Sequence, residues 1–381
     1  MAIKSLTIRN FRIHKSLELP LRSGITVITG PNGSGKTSIL EAVSLLASSR
    51  SFRAGASPDF IRKGEENAHI AAHTEEDGLT NIVALELQGA RKRVFLNEKA
   101  VSRRRQIAEI LPFVVFSPSD HRIVEGDAAD RRQFLNRAIS NLNFNYADHL
   151  RDFQKVLTQR NSLLKANIRN RNVDRMSKEL EVWDEQFLHL GGQLVRARIA
   201  YLEEFRPHFA AQYRRISQRA ETLGIDYLFE AQNGGPELAA NIENHLGMLL
   251  KQGREKDIFL GTTNSGPQRD DLSLTLDGNR VKFYGSQGEK RSAVLALRLA
   301  EVQLFREKRR KDPILLIDDV SSELDITRRQ ALVDLLKRGE SQVLITATEL
   351  PADLLRDAAS SFDHVDLEKQ ELGLDVGDAK H

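Results

Sequence analysis

Residues Gly30-Pro31-Asn32-Gly33-Ser34-Gly35-Lys36-Thr37 fit the pattern G-x-x-x-x-G-K-[ST], and this stretch limits the possible folds more than any other. The apolar run Ile25-Thr26-Val27-Ile28-Thr29 predicts a buried strand entering the loop, and Thr37-Ser38-Ile39-Leu40-Glu41-Ala42-Val43 predicts a helix leaving it. Glycines let successive N–H groups turn inward around phosphates, and the new helix aims its positive end at them. Lys36 is then placed to reach the β and γ phosphates, and Thr37 to offer a hydroxyl to Mg²⁺.

The chain has 381 residues, enough for two or three domains with a sizeable core. Its 56 basic and 53 acidic residues leave a formal charge of +3, so any nucleic-acid surface is a local patch rather than a global field. Candidate patches are Arg91-Lys92-Arg93, Arg103-Arg104-Arg105, a loose series over 165–175, and residues 306–311. Cations are favoured at a helix C-terminus in any case, which gives 306–311 a purely structural reading. The absence of cysteine excludes disulfides, thiolate nucleophiles and Cys-based metal sites, and suits a reducing compartment. No apolar stretch approaches the ~20 residues of a membrane span and no signal h-region opens the chain, so the expectation is a cytoplasmic protein with no membrane partner.

A second acidic element completes the phosphate site. Ile314-Leu315-Leu316-Ile317-Asp318-Asp319 predicts a buried strand ending in two carboxylates at the edge where ligands bind in open α/β sheets. Asp318 is expected to hold Mg²⁺ through water, and Asp319 stands where a general base or water-orienting group is needed. Helix N-capping is the structural alternative for both. Upstream, Ser286-Gln287-Gly288-Glu289-Lys290-Arg291 precedes an apolar helical run, so Ser286 can cap that helix beside exposed N-terminal amides. Downstream comes Ser322-Glu323-Leu324-Asp325.

The order of these pieces resembles ATP-binding-cassette heads, in which the signature of one subunit closes on the phosphate loop of another. Taken with Leu6-Thr7-Ile8-Arg9-Asn10-Phe11-Arg12, Leu40-Glu41-Ala42 and Gly266-Pro267-Gln268-Arg269-Asp270-Asp271-Leu272, it resembles the RecF family of bacterial DNA-repair ATPases, relatives of SMC heads, over nearly the whole chain. The resemblance implies an α/β fold: an ABC-type, SMC-head-like P-loop ATPase lobe with an inserted, mainly helical lobe. It implies a weak ATPase that uses ATP and Mg²⁺ and forms an ATP-bound homodimer on duplex DNA near single-strand gaps, working with RecR and RecO in recombinational repair. By the same resemblance Gly30, Pro31, Asn32, Gly33, Ser34, Gly35, Lys36, Thr37, Ser286, Gly288 and Asp325 contact nucleotide, Thr37 and Asp318 hold metal, and Asp319 and Lys36 are catalytic. Arg12 and His14 either approach the adenine or phosphates, as in such heads, or lie on the surface.

The sequence departs from family patterns at several points. Gln268 stands where RecF proteins have His, and the segment 126–136 lacks the family's proline and ends in Asn136. Ser117 occupies the place of the metal-sensing glutamine of wider cassettes, Ile345-Thr346-Ala347-Thr348 has no switch histidine, and Asp319 replaces a glutamate. Groups that position water and the γ-phosphate are thus missing or shortened, which predicts slow hydrolysis. The competing readings are an SMC-type chromosome or DNA-end-processing head, which needs long coiled-coil arms, and a transporter ATPase subunit, which has its signature soon after the phosphate loop.

Expected boundaries are 1–120 and 256–367 for the two parts of the ATPase lobe, 121–255 for the helical insertion and 368–381 for a frayed tail. Hairpins are predicted at Ile82 to Leu96, turning at Gln88-Gly89-Ala90, and at Leu272 to Phe283, turning at Asp277-Gly278-Asn279. Within the insertion, Leu150, Phe153, Val156, Leu157, Leu163 and Leu164, then Leu180, Trp183, Phe187, Leu190, Leu194 and Ile199, fall at helical spacing. Breaks are expected at 167–172 and at Gly191-Gly192.

Overall fold

The computed structural model describes residues 2–49, 51–53, 57–101, 105–167, 173–219, 221–230, 232–319, 326–358 and 361–368. The expected tail lies outside these residues after Glu368, as do Ser322, Glu323, Leu324, Asp325, Arg103 and Arg104. The chain forms two compact units, one made of 1–120 and 295–381, the other of His121–Val294.

In the first unit β1 (Ala2–Phe11), β2 (His14–Pro20), β3 (Ile25–Thr29) and helix α1 (Lys36–Ser48) come first. They are followed by β4 (Asn67–Glu76), β5 (Leu79–Gln88), β6 (Arg91–Leu96), β7 (Lys99–Ala100), α2 (Arg105–Ile110) and β8 (Phe113–Phe116). The second unit holds α3 (His121–Glu125), α4 (Ala128–Leu142), α5 (Phe144–Asn167), α6 (Val173–Ser217), β9 (Leu223–Phe229) and β10 (Gln232–Gly234). It continues through α7 (Pro236–Ala240), α8 (Ile242–Leu260), β11 (Asp271–Leu276), β12 (Asn279–Arg280) and α9 (Val281–Tyr284). Helix α10 (Gln287–Arg309) starts in the second unit and ends in the first, which closes with β13 (Ile314–Ile317), α11 (Ile326–Arg338), β14 (Val343–Ala347), α12 (Ala352–Ala358) and β15 (Asp363–Asp366).

Two sheets enclose the core of the first unit. One runs β2-β1-β4-β5-β6-β7 with antiparallel neighbours; the other runs β15-β3-β14-β13-β8 and is parallel throughout. The parallel strands β3, β8, β13 and β14 are buried along their whole length, which is why they read as unbroken apolar runs. Helix α1 is buried from Ser38 to Ala47 and packs on strands of both sheets, so its apolar residues surround it instead of forming one stripe. Outer strands are short or carry charge and proline: Lys15 and Pro20 on β2, two residues in β7, Asp363 and Asp366 on β15.

Arg298 on α10 forms a two-toothed ion pair with Asp120 at 2.9 and 2.6 Å and also reaches Glu301 at 2.7 Å, all of it buried in the first unit. Asp120 closes the turn after β8 by accepting from the Ser117 N–H at 3.0 Å.

The second unit departs from expectation in three places. Its end lies at 294, not 255, because β11 pairs with β9 from Asp271↔Leu228 to Leu276↔Leu223 and so ties 271–276 to the helical unit. The return strand of the second hairpin stops after β12; the chain then takes the single turn α9, and Phe283 is not on a strand. Gly191-Gly192 does not break the helix, since both lie inside the 45-residue α6. A β-carbon on Gly191 would come to 3.4 Å from Leu246 and Phe153, and one on Gly192 to 2.8 Å from Glu243, so these glycines admit α8 against α6. The 24 residues of α5, which packs on α6, amount to only ~36 Å of helix.

Buried arginines hold this unit from within. Arg160 binds Asp184 at 2.8 Å, Asp257 at 2.9 Å and the Thr263 hydroxyl at 2.7 Å. Arg198 donates to the Pro267 carbonyl at 2.7 Å, Asn136 at 3.1 Å, the Tyr146 hydroxyl at 3.0 Å and Asp270 at 3.3 Å, while Tyr227 donates to Asp270. Arg131 pairs with Asp271 through two bonds of 2.6 and 3.0 Å. The segments 126–136 and 266–271, whose variant residues left their role open, are thereby joined. Gln268 turns its amide to the Ser265 carbonyl at 2.9 Å. Among the described residues no helix is long and apolar enough to cross a membrane.

Burial pushes the Asp270 carboxyl up to about 7 despite Arg198 and Tyr227. The folded state therefore holds this proton more tightly than the unfolded chain, so the stabilisation is complete below the ordinary aspartate range and is lost as pH rises towards 7. Urea unfolding at pH 5 and pH 8 should show the wild type losing more stability across that interval than Asp270→Asn.

Candidate active site

The turn from β3 into α1 is made by Gly30, Gly33 and Gly35 at φ of +153°, +89° and +89°. Gly35 has a second constraint, because a β-carbon there would fall 2.6 Å from His14 Cε1. His14 Nε2 sits 3.1 Å from the Gly35 carbonyl oxygen, so the ring buttresses the loop from β2. Lys36 donates to the carbonyls of Gly30 and Pro31 at 2.6 and 2.9 Å.

Strand β13 brings Asp318 beside this turn. The Thr37 hydroxyl from α1 donates to Asp318 Oδ1 at 2.8 Å, and the Thr346 hydroxyl from β14 donates to the same oxygen at 2.7 Å. Thr346 also accepts the Asp319 N–H at 3.1 Å, and Asp319 takes φ +52°, a conformation that aspartate tolerates better than most residues. Burial pushes the Asp318 carboxyl up, against the two hydroxyl donors, and lowers Lys36, with Asp319 and Asp318 pulling it back. A desolvated carboxylate beside a desolvated ammonium favours a ligand that brings both a cation and an anion.

These groups line a cavity of about 520 Å³ with Asn32, Gly33, Gly35, Ser38 and Thr348. Its outer wall adds Arg12, Ile13, Arg53, Asp59, Ile61 and Lys63. Arg12 is pinned by Glu41 through two bonds of 2.9 Å, donates to the Asp59 carbonyl at 2.9 Å and lies 5.0 Å from the Phe60 ring centroid. Arg12 thus lies on the cavity wall, while His14 is not among the residues that line it.

The residues fit a magnesium nucleotide. The buried Ser34 hydroxyl has no protein partner inside the loop, and Asp318 with Thr37 offers a carboxylate and a hydroxyl at one point. Among the described residues no three His, Asp or Glu side chains form a metal cage of their own, and Mg²⁺ needs only one or two protein ligands where phosphates supply the rest.

Ser286 and Gly288 belong to the second unit and do not line this cavity. There Ser286 Oγ accepts the Glu289 N–H at 3.3 Å while Glu289 accepts the Ser286 N–H at 2.8 Å, a reciprocal cap that fixes the start of α10. Ser117 bonds Ser119 at 3.0 Å and likewise stays off the cavity wall. Asp325 lies outside the described residues. Sequence reasoning missed Thr346; its one sequence signal is its place at the C-terminal end of an apolar strand, and only the fold sets that strand next to β13.

The family profile described as RecF/RecN/SMC N terminal domain matches residues 2–370. A DNA replication and repair protein RecF of Moorella thermoacetica is 36% identical over 359 residues, covering 93% of this chain and 93% of its own length. The chain belongs to the RecF family. Its counterpart in Lachnoclostridium phytofermentans is 34% identical over 350 residues, covering 92% of this chain and 94% of that protein. A solved structure of the recombination mediator protein RecF-ATPrS in the RecFOR pathway superposes with a TM-score of 0.82 at 29% identity, covering 96% of each chain. The Smc head bound to the C-winged helix domain of ScpA gives a TM-score of 0.51 at 17% identity and supports the fold alone. RecF membership makes the chain an ABC-type ATPase, the fold class read from its motifs.

Replacing Thr346 by Val removes one of the two hydroxyl donors to Asp318, a loss on the order of 1–2 kcal/mol for a half-buried carboxylate that keeps Thr37. Mg²⁺-dependent turnover should fall about tenfold or more while nucleotide affinity measured in EDTA stays unchanged.

Proposed function

We propose that this chain is an ATP-dependent DNA replication and repair protein whose two copies close head to tail around ATP and clamp duplex DNA near single-strand gaps. The observation that supports this reading is that the phosphate cavity and the signature helix start belong to different compact units. Each chain has one phosphate cavity, in its first unit, and one capped signature helix start at Ser286, in its second, so two copies in a closed pair make two complete sites.

Lys36 and the loop amides would hold the β and γ phosphates, with the Ser286 and Gly288 end of the partner's α10 meeting the γ-phosphate from the other side. Thr37 and Asp318 would hold Mg²⁺, which neutralises phosphate charge when bound. Asp319 would orient the attacking water; being one methylene shorter than glutamate, it leaves hydrolysis slow, as suits a switch. Loss of the γ-phosphate removes the bridge between copies and opens the clamp. DNA would be held through its phosphates without base reading, so binding falls steeply with salt. RecR and RecO are the partners that RecF kinship and the RecFOR pathway of the solved relative indicate.

Fluorescence anisotropy of a labelled duplex, titrated in Mg-ATP and in Mg-ADP at one salt concentration, tests the clamp. Binding should be at least tenfold tighter with ATP, and Lys36→Ala should abolish the difference. Equal binding with both nucleotides would leave an ATPase that acts on some other client.

A further inference from the structure

The residues just before the signature helix hold two large aromatic side chains in water. Phe283 is 64% exposed and Tyr284 77%, whereas Val281, two residues earlier, is 1% exposed. Looseness does not account for this. The turn α9 hangs from the β11–β12 hairpin by buried Val281, and the Gly285 N–H closes it on the Val281 carbonyl at 3.0 Å. A β-carbon at Gly285 would come to 2.7 Å from that carbonyl oxygen, so glycine is required for the turn to close. Rings held outward by a closed turn, directly beside Ser286, form an apolar surface rimmed by exposed Arg280, with Lys282 Nζ 5.8 Å from the Phe283 centroid.

We propose that Phe283 and Tyr284 are the apolar anchor of contact between two copies of this chain, packing on the rim of the partner's phosphate cavity at the partner's Ile13. The proposal rests on the head-to-tail dimer above. Ile13 is itself 46% exposed and lies on the cavity wall, so each copy carries both halves of the contact. Charge selects the occupant and the moment. The cavity wall carries four cations, among them Lys36 and Arg53, against the carboxylates of Asp59, Asp318 and Asp319 and the Glu41 that pairs with Arg12. Unloaded, the wall is close to neutral, and Mg-ATP, with its own net negative charge, gives it the sign that attracts the basic rim around Phe283. The aromatic face is thus drawn to a loaded cavity and gains no such attraction from an unloaded one. Aromatic side chains at the centre of such contacts bury much area at small entropic cost, while charged rims set partner and timing.

The chain has no cysteine, so Tyr284→Cys supplies a single thiol for an environment-sensitive fluorophore. Mg-ATP should shift the probe's emission to the blue, with a midpoint that moves with protein concentration, and Mg-ADP should not. Phe283→Ser should weaken ATP-dependent dimerisation in sedimentation velocity by ~30-fold, the loss typical of truncating an aromatic hot spot, with monomer nucleotide affinity unchanged. A wild type that dimerises while the probe stays silent, or a Phe283→Ser protein that dimerises like wild type, overturns the anchor and leaves the dimer standing. A wild type that stays monomeric in Mg-ATP overturns the dimer reading together with the anchor. A shift that appears only on adding duplex DNA, in either nucleotide, assigns the rings to DNA and overturns the proposal.

Discussion

One carboxylate oxygen joins the parts of the nucleotide site. Asp318 Oδ1 receives hydroxyls from Thr37 on α1 and Thr346 on β14, so the helix after the phosphate loop, the acidic strand and its sheet neighbour meet at a single acceptor. Thr346 extends the link to the Asp319 backbone. The position of Asp319 is therefore coupled to the Asp318 carboxylate. Such a chain of donors tolerates burial because its members are paired, and it makes the site responsive to whatever binds at Asp318.

The second unit is organised on the same principle with charge in place of hydroxyls. Arg160 and Arg198 are each fully enclosed and reach partners from separate helices and loops. Removing one partner of such a pair costs about 3–5 kcal/mol, since a buried charge is left alone. That penalty punishes misassembled packing more than it stabilises the correct one. It also gives the segments around Arg131 and Asp270 a structural role: they set the position of the β11–β12 hairpin, and through it the start of α10.

Where chemistry is local in sequence, it could be read from sequence. The phosphate loop, the strand ending in Asp318 and Asp319, and the Ser286 cap each occupy fewer than ten consecutive residues, and their periodicity and turn chemistry are self-contained. Thr346 was not legible, because threonine at a strand end is ordinary and its meaning comes only from which strand lies beside it. Arg198 and Asp270 are 72 residues apart, and nothing near either announces the other. Gly191-Gly192 misled for a related reason: a glycine pair reads locally as a break, yet here it answers a helix from elsewhere in the chain. The lobe limit moved from 255 to 294 because strand pairing with β9 is a long-range fact. Val281 and Phe283 alternate as a strand would, and only the closed turn at Gly285 separates them.

Among the described residues, five of the six outer strands discourage continuation, β8 being the exception: two residues in β7 and β12, three in β10, aspartates at both ends of β15, lysine and proline on β2. Adding a strand to an open edge is the route of association that asks least of a sequence, since any extended backbone can use it. Where those margins are closed, meetings between molecules are left to side chains, which can be made conditional on a bound ligand as a hydrogen-bonded ladder cannot. The ligand-dependent dimer proposed above is better served by such a boundary than by one that fuses.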